Sequence, residues 1–126
     1  MAAPADRKYL QTHEWHRADG DVVTIGITQF AADELTDITY VALPKVGDKV
    51  SKGARWGEIE SVKATSDLYA GVSGTIAAVN NDLAANPGLV NSDPYNAGWM
   101  IKIKPDSTDE FSKLLSADDY LKKSGH

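Results

Sequence analysis

The possible folds of this chain are limited mainly by a series of short strand-like segments, which frequent turn signals separate. Residues 21–28 (DVVTIGIT) and 37–44 (DITYVALP) are rich in β-branched and aromatic side chains, and Pro44 ends the second segment. Residues 45–53 contain two Gly turn signals around a very short strand, and residues 99–105 alternate between apolar and polar side chains. Short strands with a turn roughly every ten residues predict a small β-sandwich or flattened β-barrel.

Strict alternation along two of these segments predicts which side chains share a face. In residues 37–44 it places one set of side chains on one face and the intervening set on the other: Ile38, Tyr40 and Ala42 against Thr39, Val41 and Leu43. In residues 99–105 alternation places one set of side chains on one face and a second set on the other: Trp99, Ile101 and Ile103, then Met100, Lys102 and Lys104. Trp99 is expected to be buried.

The segment from 54 to 80 predicts a hairpin with a lysine at its tip. One strand runs into Val62, a turn follows at Lys63-Ala64, and the returning strand runs through Leu68. A bend at residues 71–74 and a further strand through Val79 complete the segment. The neighbours of Lys63 are small or polar, so its amine should be solvated, protonated and reachable by an enzyme. Exposed lysines are common, however, and charge alone favours an ordinary surface residue.

Helices are predicted only at the margins of this β-rich core. Residues 28–35 favour a short helix with Thr28 as its cap, and residues 80–98 read mostly as loop and short turns. In residues 107–123 the period changes to a helical one: Phe111, Leu114 and Leu115 form one set, and Ser116 with Asp119 resembles a capping box. The prediction is one domain over residues 1–126, with a core at about 20–104 and a C-terminal helical segment.

Charge and the missing cysteines exclude several classes of function. The 126-residue chain has a net charge of -5, which argues against binding nucleic acid or an anionic membrane surface. No apolar run approaches the ~20 residues of a membrane span. We expect a monomer in the bacterial cytoplasm, or in the mitochondrial matrix if the chain is a processed eukaryotic form. There is no Cys, so any thiol chemistry must come from an attached group.

The segment ESVKATSDLYAGVSG at 60–74 resembles the lipoyl-lysine segment of the glycine cleavage system H proteins. The similarity extends along nearly the whole chain through LTDITYVALPKVGDKV at 35–50, LVNSDPYNAGWMIKIK at 89–104 and EFSKLL at 110–115. It implies a lipoyl/biotinyl-type flattened β-barrel, or barrel-sandwich hybrid, with short edge helices and a C-terminal helix. It also implies that Lys63 Nε carries lipoate in an amide bond.

The resemblance implies a non-catalytic carrier that serves several enzymes. Such a carrier accepts the aminomethyl group of glycine from a pyridoxal-phosphate-dependent glycine decarboxylase and presents it to an aminomethyltransferase. Dihydrolipoamide dehydrogenase then reoxidises the cofactor, and a lipoate ligase or lipoyltransferase attaches it. Glu60 and Gly74 match positions that the attaching enzyme reads. A solvated strand carboxylate explains Glu60 equally well, and from the sequence alone a plain turn glycine is the favoured explanation of Gly74. Two departures from the pattern are Gly71, where proline is usual, and Thr36, where glycine is commoner.

Other functions remain to be weighed against this one. A lipoyl relay protein that donates lipoate to 2-oxoacid dehydrogenases would have a similar lysine tip and stays open. A biotin carrier is disfavoured because Lys63 lies between Val62 and Ala64 and not between two methionines. A metal site is not expected from His13, His16 and the terminal His126, since a lone His pair is usually structural. No catalytic or phosphate-binding motif is present, and Asp93 and Tyr95 are left open as partner contacts.

Overall fold

The computed structural model describes residues 3–123, which form nine strands and five short helices. The strands are β1 Lys8–Tyr9, β2 Glu14–Asp19, β3 Val22–Ile27, β4 Ile38–Ala42, β5 Lys49–Val50, β6 Arg55–Ser61, β7 Thr65–Tyr69, β8 Gly74–Val79 and β9 Ile101–Pro105. The helices are α1 Gln29–Leu35, α2 Asp82–Ala85, α3 Leu89–Ser92, α4 Asp109–Ser112 and α5 Ala117–Lys123.

The strands pair into two antiparallel sheets that enclose the main core. One sheet has six strands in the order β1-β2-β3-β9-β8-β5, and the other has three in the order β4-β6-β7. Apolar side chains from both sheets meet between them, for example Ile25 and Ile103 from the first and Ile59 and Leu68 from the second. The mostly β fold that the sequence predicts is therefore confirmed. The strands form two separate sheets, and their pairing does not close into a barrel.

The strand at the end of the predicted core is confirmed, with a correction at its start. Ile101 and Ile103 of β9 are buried and pair with Ile25 and Val23 of β3. Alternation is wrong for the two residues before the strand, because their backbone is irregular. Met100 is fully buried. Trp99 is only half-buried, and the Lys102 ammonium lies 5.2 Å from its ring centroid.

A β-bulge overturns the predicted faces of β4. Ile38 pairs with Ser61 and Tyr40 pairs with Glu60, so one extra residue of β4 is accommodated between these pairs. The bulge shifts the alternation by one residue: Ile38 and Val41 are buried, whereas Tyr40 is 53% exposed. A period of two could not predict this, because the bulge depends on the pairing with β6.

A second apolar cluster joins the two ends of the described chain. Tyr9, Trp15, Ala117 and Tyr120 are its buried members, and the rings of Tyr9 and Tyr120 stack at 4.9 Å between centroids. The predicted cap of α5 is confirmed in part, since the Asp119 N–H donates to Ser116 Oγ at 3.2 Å. These contacts place α5 against the six-stranded sheet.

The remaining helices are short and lie at the edges, as the sequence predicts. Thr28 caps α1 by accepting a hydrogen bond from the Ala31 N–H at 3.3 Å. Within the predicted loop at 80–98, α2 and α3 are single helical turns. No helix within residues 3–123 has the length and apolar character that crossing a membrane requires.

Candidate functional site

The tip of the β6–β7 hairpin, residues 61–64, is called here the lysine turn. Ser61 organises it: its N–H donates to the Ala64 carbonyl at 2.8 Å, and its Oγ accepts from the N–H groups of Lys63 at 3.2 Å and Ala64 at 3.0 Å. Val62, Lys63 and Ala64 are all exposed. The predicted position of the turn is confirmed, and its backbone is held by one serine while the flanking side chains face solvent.

The Lys63 side chain reaches back to the end of helix α1. Its Nζ donates to the Glu34 carbonyl at 3.2 Å. This carbonyl belongs to the last turn of α1, where backbone oxygens lack helical partners and carry partial negative charge. An amide nitrogen at the same position would keep one N–H and could keep this bond. The surroundings of Nζ are therefore compatible with acylation.

The lysine turn rests on the connection between α1 and β4. The Val62 N–H donates to the Asp37 carbonyl at 3.1 Å. Thr36 precedes this contact with φ 61° and ψ -146°, a conformation that glycine adopts more readily than threonine. The Asn91 amide holds the connection: its Nδ2 donates to the Thr36 carbonyl at 2.7 Å and its Oδ1 accepts from the Ile38 N–H at 2.9 Å. The predicted departure at Thr36 therefore lies directly beneath the lysine turn.

A cleft opens beside Nζ between helix α1 and strands β6 and β7, and we call it the α1 cleft. Its volume is about 170 Å³. Much of its lining is apolar, and acidic residues lie among these side chains; it includes Ile27, Phe30, Leu35, Ile59, Leu68, Glu14, Glu34 and Asp67. Glu34 belongs both to this cleft and to the contact with Nζ. A flexible chain attached at Nζ would therefore find an apolar surface next to its anchor.

Glu14 is a buried carboxylic acid in this cleft. Its side chain accepts hydrogen bonds from the Thr12 hydroxyl and, at 2.8 Å, from the Tyr69 N–H. Burial raises the pKa of Glu14 to about 7, and these two hydrogen bonds act in the opposite direction. This role could not be predicted from the sequence, because the hydrogen bond between Glu14 and Tyr69 joins residues 55 positions apart.

Glu60 lies on the outer side of the three-stranded sheet. It is half-buried and pairs with Tyr40 on one side and Thr65 on the other. Among residues 3–123 no ion pair links it to Lys63, whose ammonium contacts the Glu34 carbonyl instead. Its side chain is thus available at the surface near the turn, and its role in lipoate attachment stays a prediction.

Gly74 lies in the other sheet, where it permits a close backbone approach. A Cβ atom there would lie 2.2 Å from the Lys104 carbonyl oxygen and 2.7 Å from Ile103 Cγ2. Gly74 is buried at the start of β8 and pairs with both Val50 and Pro105. These contacts account for the glycine by packing, and its reading by an attaching enzyme stays a prediction.

The histidine pair is divided between two structural contacts. His16 is fully buried, and its Nε2 accepts from the Gly71 N–H at 3.0 Å. The ring of His13 contacts the Tyr120 hydroxyl at 2.6 Å. Within residues 3–123 no cluster of three or more His, Cys, Asp or Glu side chains is placed to hold a metal ion. His126 lies outside the described residues.

Asp93 and Tyr95 also make contacts within the chain. Asp93 Oδ2 accepts from the Ala97 N–H at 3.1 Å, and the Tyr95 hydroxyl accepts from the Gln29 N–H at 3.0 Å. Gln29 is the first residue of α1, so Tyr95 attaches the start of this helix to the loop before β9. Tyr95 therefore helps to position the helix that forms one wall of the α1 cleft, whereas the contacts of Asp93 stay within its own loop.

Comparisons with known proteins agree in pointing to one family. Residues 7–126 match the family described as Glycine cleavage H-protein. A probable glycine cleavage system H protein of Natronomonas pharaonis is 55% identical over 117 residues, which are 93% of this chain and 92% of that protein. A glycine cleavage system H protein of Methylacidiphilum infernorum is 52% identical over 120 residues, or 95% and 94% of the two chains.

A solved structure extends the similarity to the fold. The crystal structure of a glycine cleavage system H protein from Mycobacterium marinum superposes with a TM-score of 0.90 at 40% sequence identity. The match covers 98% of this chain and 100% of the other. Sequence and fold are thus similar over almost the same span.

Proposed function

Because this chain belongs to the glycine cleavage H-protein family, we propose that it carries lipoate in an amide bond on Lys63. It is a carrier component of the glycine cleavage system. On this proposal, the lysine turn is the part that bears the cofactor. The observation that supports this assignment is the placement of Nζ. Lys63 is exposed at a hairpin tip that Ser61 holds through two backbone N–H groups, and Nζ donates to a carbonyl that an amide could keep as a partner.

When bound, lipoate supplies a dithiolane whose sulfur atoms can be reduced, carry a group and be reoxidised. The chain itself contains no Cys, so no thiol of its own competes in exchange with those sulfurs. The part of the protein is to hold the anchor in a defined place. Ser61 fixes the backbone, the Glu34 carbonyl orients Nζ, and Asp37 joins the turn to the connection after α1.

The α1 cleft is suited to shelter the cargo between enzymes. The cargo is the aminomethyl group of glycine, which contains an amine, and Glu14 offers that amine a carboxylate away from solvent. A cation beside Glu14 would favour the ionised carboxylate and so lower its pKa from about 7. The apolar lining of the cleft would exclude water from the remainder of the arm.

The enzymes that this carrier would visit are those of the glycine cleavage system. The proposed sequence runs from the glycine decarboxylase to the aminomethyltransferase and then to dihydrolipoamide dehydrogenase. A tethered group reaches each of these enzymes at a high effective concentration once the carrier has docked. On this proposal the chain supplies no catalytic group: it delivers a group on which other proteins act.

The test compares two single variants of the protein, in each of which one turn lysine is replaced by arginine. Lys63→Arg removes the acylated amine but keeps a positive charge, while Lys52→Arg makes the same change at another exposed turn. We expect Lys63→Arg to abolish glycine-dependent exchange of CO₂ in the reconstituted system and Lys52→Arg to leave it unchanged. Both variants should unfold at the wild-type temperature, because surface substitutions of this kind change stability by about 0.5 kcal/mol or less. Full activity of Lys63→Arg would overturn the proposal.

A further inference from the structure

We infer that Tyr40 and Val62 form an apolar docking patch for the enzyme that acylates Lys63. This inference rests on the proposed function and adds a recognition surface to it. Large apolar side chains exposed within residues 3–123 are few: Tyr40 is 53% exposed, Val46 62% and Val62 70%. Scattered exposed apolar residues need no explanation, but two of these three lie at the same edge as the lysine.

The hydrogen bonds of the sheet bring Tyr40 and Val62 to one edge. Tyr40 of β4 pairs directly with Glu60 of β6, and Val62 follows Glu60 by two residues. The Val62 N–H donates to the Asp37 carbonyl, so Val62 lies beside the residue that precedes β4. β4 is also the outer strand of its sheet, and within residues 3–123 it pairs with a strand on one side only, which is β6.

The charge around the patch favours a partner with a basic rim. Glu34 is exposed in the last turn of α1, Asp37 is exposed in the connection to β4, and Glu60 is half-buried near the end of β6. No ion pair neutralises any of these three carboxylates among residues 3–123. Glu34 and Asp37 belong to the backbone segment that contacts the lysine turn, and Glu60 precedes Lys63 by three residues, so this surface is acidic apart from the Lys63 ammonium. An enzyme surface with an apolar pocket between Lys or Arg side chains would complement this arrangement.

The position of the patch distinguishes the acylating enzyme from the other partners. An enzyme that acylates Nζ must bring that atom into its own active site, so its surface must cover Val62, the residue next to Lys63. The enzymes that act on the cargo reach the far end of the arm and work at a distance from the turn. The patch is therefore placed for the enzyme that forms the amide bond.

The reaction at this surface is an acyl transfer without change of oxidation state. The Lys63 ammonium first gives a proton to solvent, and the amine attacks the carbonyl carbon of a lipoyl adenylate. The N–C bond forms and the bond from that carbon to the phosphate oxygen breaks. The second amine proton leaves with the products, which are the amide and the nucleoside monophosphate. Tyr40 and Val62 touch none of the reacting atoms and act by binding alone.

The experiment measures acylation of the lipoate-free chain by a lipoate ligase with lipoate and ATP. Tyr40→Ser and Val62→Ser should each raise the KM for the protein about tenfold, with kcat changed by about twofold or less. Val46→Ser is the matched control, because it removes an equally exposed apolar side chain from another turn, and its KM should equal the wild-type value. Added salt should raise the wild-type KM, since it screens the carboxylates.

Each alternative outcome has a defined meaning. Equal KM values for the Tyr40, Val62 and Val46 variants would overturn the patch. Normal acylation of these variants with a loss only of glycine cleavage activity would assign the patch to a different enzyme and overturn the inference as stated. Absence of acylation in the wild-type chain would overturn the proposed function itself. Thermal unfolding of all four proteins should coincide, which separates binding from folding.

Discussion

Two bends of the same antiparallel run, only a few residues apart, are built in opposite ways. The lysine turn exposes Val62, Lys63 and Ala64, and the Ser61 side chain holds its backbone. The bend at residues 70–74, called here the packed turn, buries all its members except the half-buried Ser73. Its contacts come from distant parts of the chain.

The anchors of the packed turn include buried polar groups. The Gly71 N–H donates to His16 Nε2 at 3.0 Å, and Ser73 donates through its N–H at 2.6 Å and its Oγ at 3.2 Å to the Glu110 carboxylate. Just before this turn, the Tyr69 N–H donates to Glu14 at 2.8 Å. The comparison indicates that the residues that stabilise the fold and the lysine that is proposed to carry lipoate lie in different turns. One turn can be changed with little effect on folding, and the other holds the two sheets in place.

The largest effect is expected from Gly74→Ala at the packed turn. The new Cβ would lie 2.2 Å from the Lys104 carbonyl oxygen, and a backbone atom cannot move aside as a side-chain end can. We expect a loss of about 3 kcal/mol in the free energy of unfolding, measured with urea. Lys63→Ala at the lysine turn should change it by about 0.5 kcal/mol or less. Similar values for the two variants would remove the contrast between the turns.

The second prediction concerns two buried titratable groups, His16 at the packed turn and Glu14 at the residue just before it. Burial raises the pKa of Glu14 to about 7, so its contribution to stability falls as the pH rises from the unfolded value near 4.5 to 7. Burial lowers the pKa of His16 to about 4, so its contribution falls as the pH drops from 6.5 to 4. The two contributions to the free energy of unfolding change in opposite directions with pH, and between pH 7 and 5 these changes should nearly cancel in the wild type.

Glu14→Gln removes the pH dependence of stability that is due to Glu14 and leaves the dependence that is due to His16. Its free energy of unfolding should fall by about 2 kcal/mol between pH 7 and pH 5, while the wild-type value stays nearly constant. Glu58→Gln, on the outer side of the hairpin, should follow the wild type. In the wild type, the Glu14 carboxyl resonance should titrate near pH 7 and shift to lower pH when the arm carries its amine cargo. A flat profile for Glu14→Gln would show that these groups do not anchor the packed turn as described.

The smallest expected effect is a gain in stability beneath the lysine turn. Thr36 has φ 61° and ψ -146°, which is strained for a residue with a branched Cβ. Thr36→Gly should relieve this strain by more than the extra freedom of glycine in the unfolded chain costs, for a net gain of about 1 kcal/mol. Thr39→Gly, within β4, is the control and should lower the thermal unfolding midpoint. A lower midpoint for Thr36→Gly would mean that the connection is not strained.

The sequence predicted the parts of the structure that depend on local pattern. The hairpin around Lys63, the cap at Thr28 and the apolar face of β9 follow from turn chemistry and alternation within a few residues. The resemblance implied that glycine is commoner at the position of Thr36, and the positive φ found there is a conformation that glycine adopts more readily.

The features that the sequence could not supply depend on contacts between distant residues. The bulge in β4 depends on its register with β6, and the burial of Met100 depends on irregular backbone before β9. The α1 cleft is the clearest case. Its acid, Glu14, is surrounded by residues from α1, β6 and β7, and no single segment indicates that these meet.

The most direct test of the central claim is to map lipoate on the natively expressed chain by mass spectrometry of its peptides. The account predicts a single lipoyl mass increment on the peptide that contains Lys63 and none on the peptide that contains Lys52, although both lysines lie exposed at turns. An increment on Lys52 or on any other lysine, with Lys63 unmodified, would contradict the account.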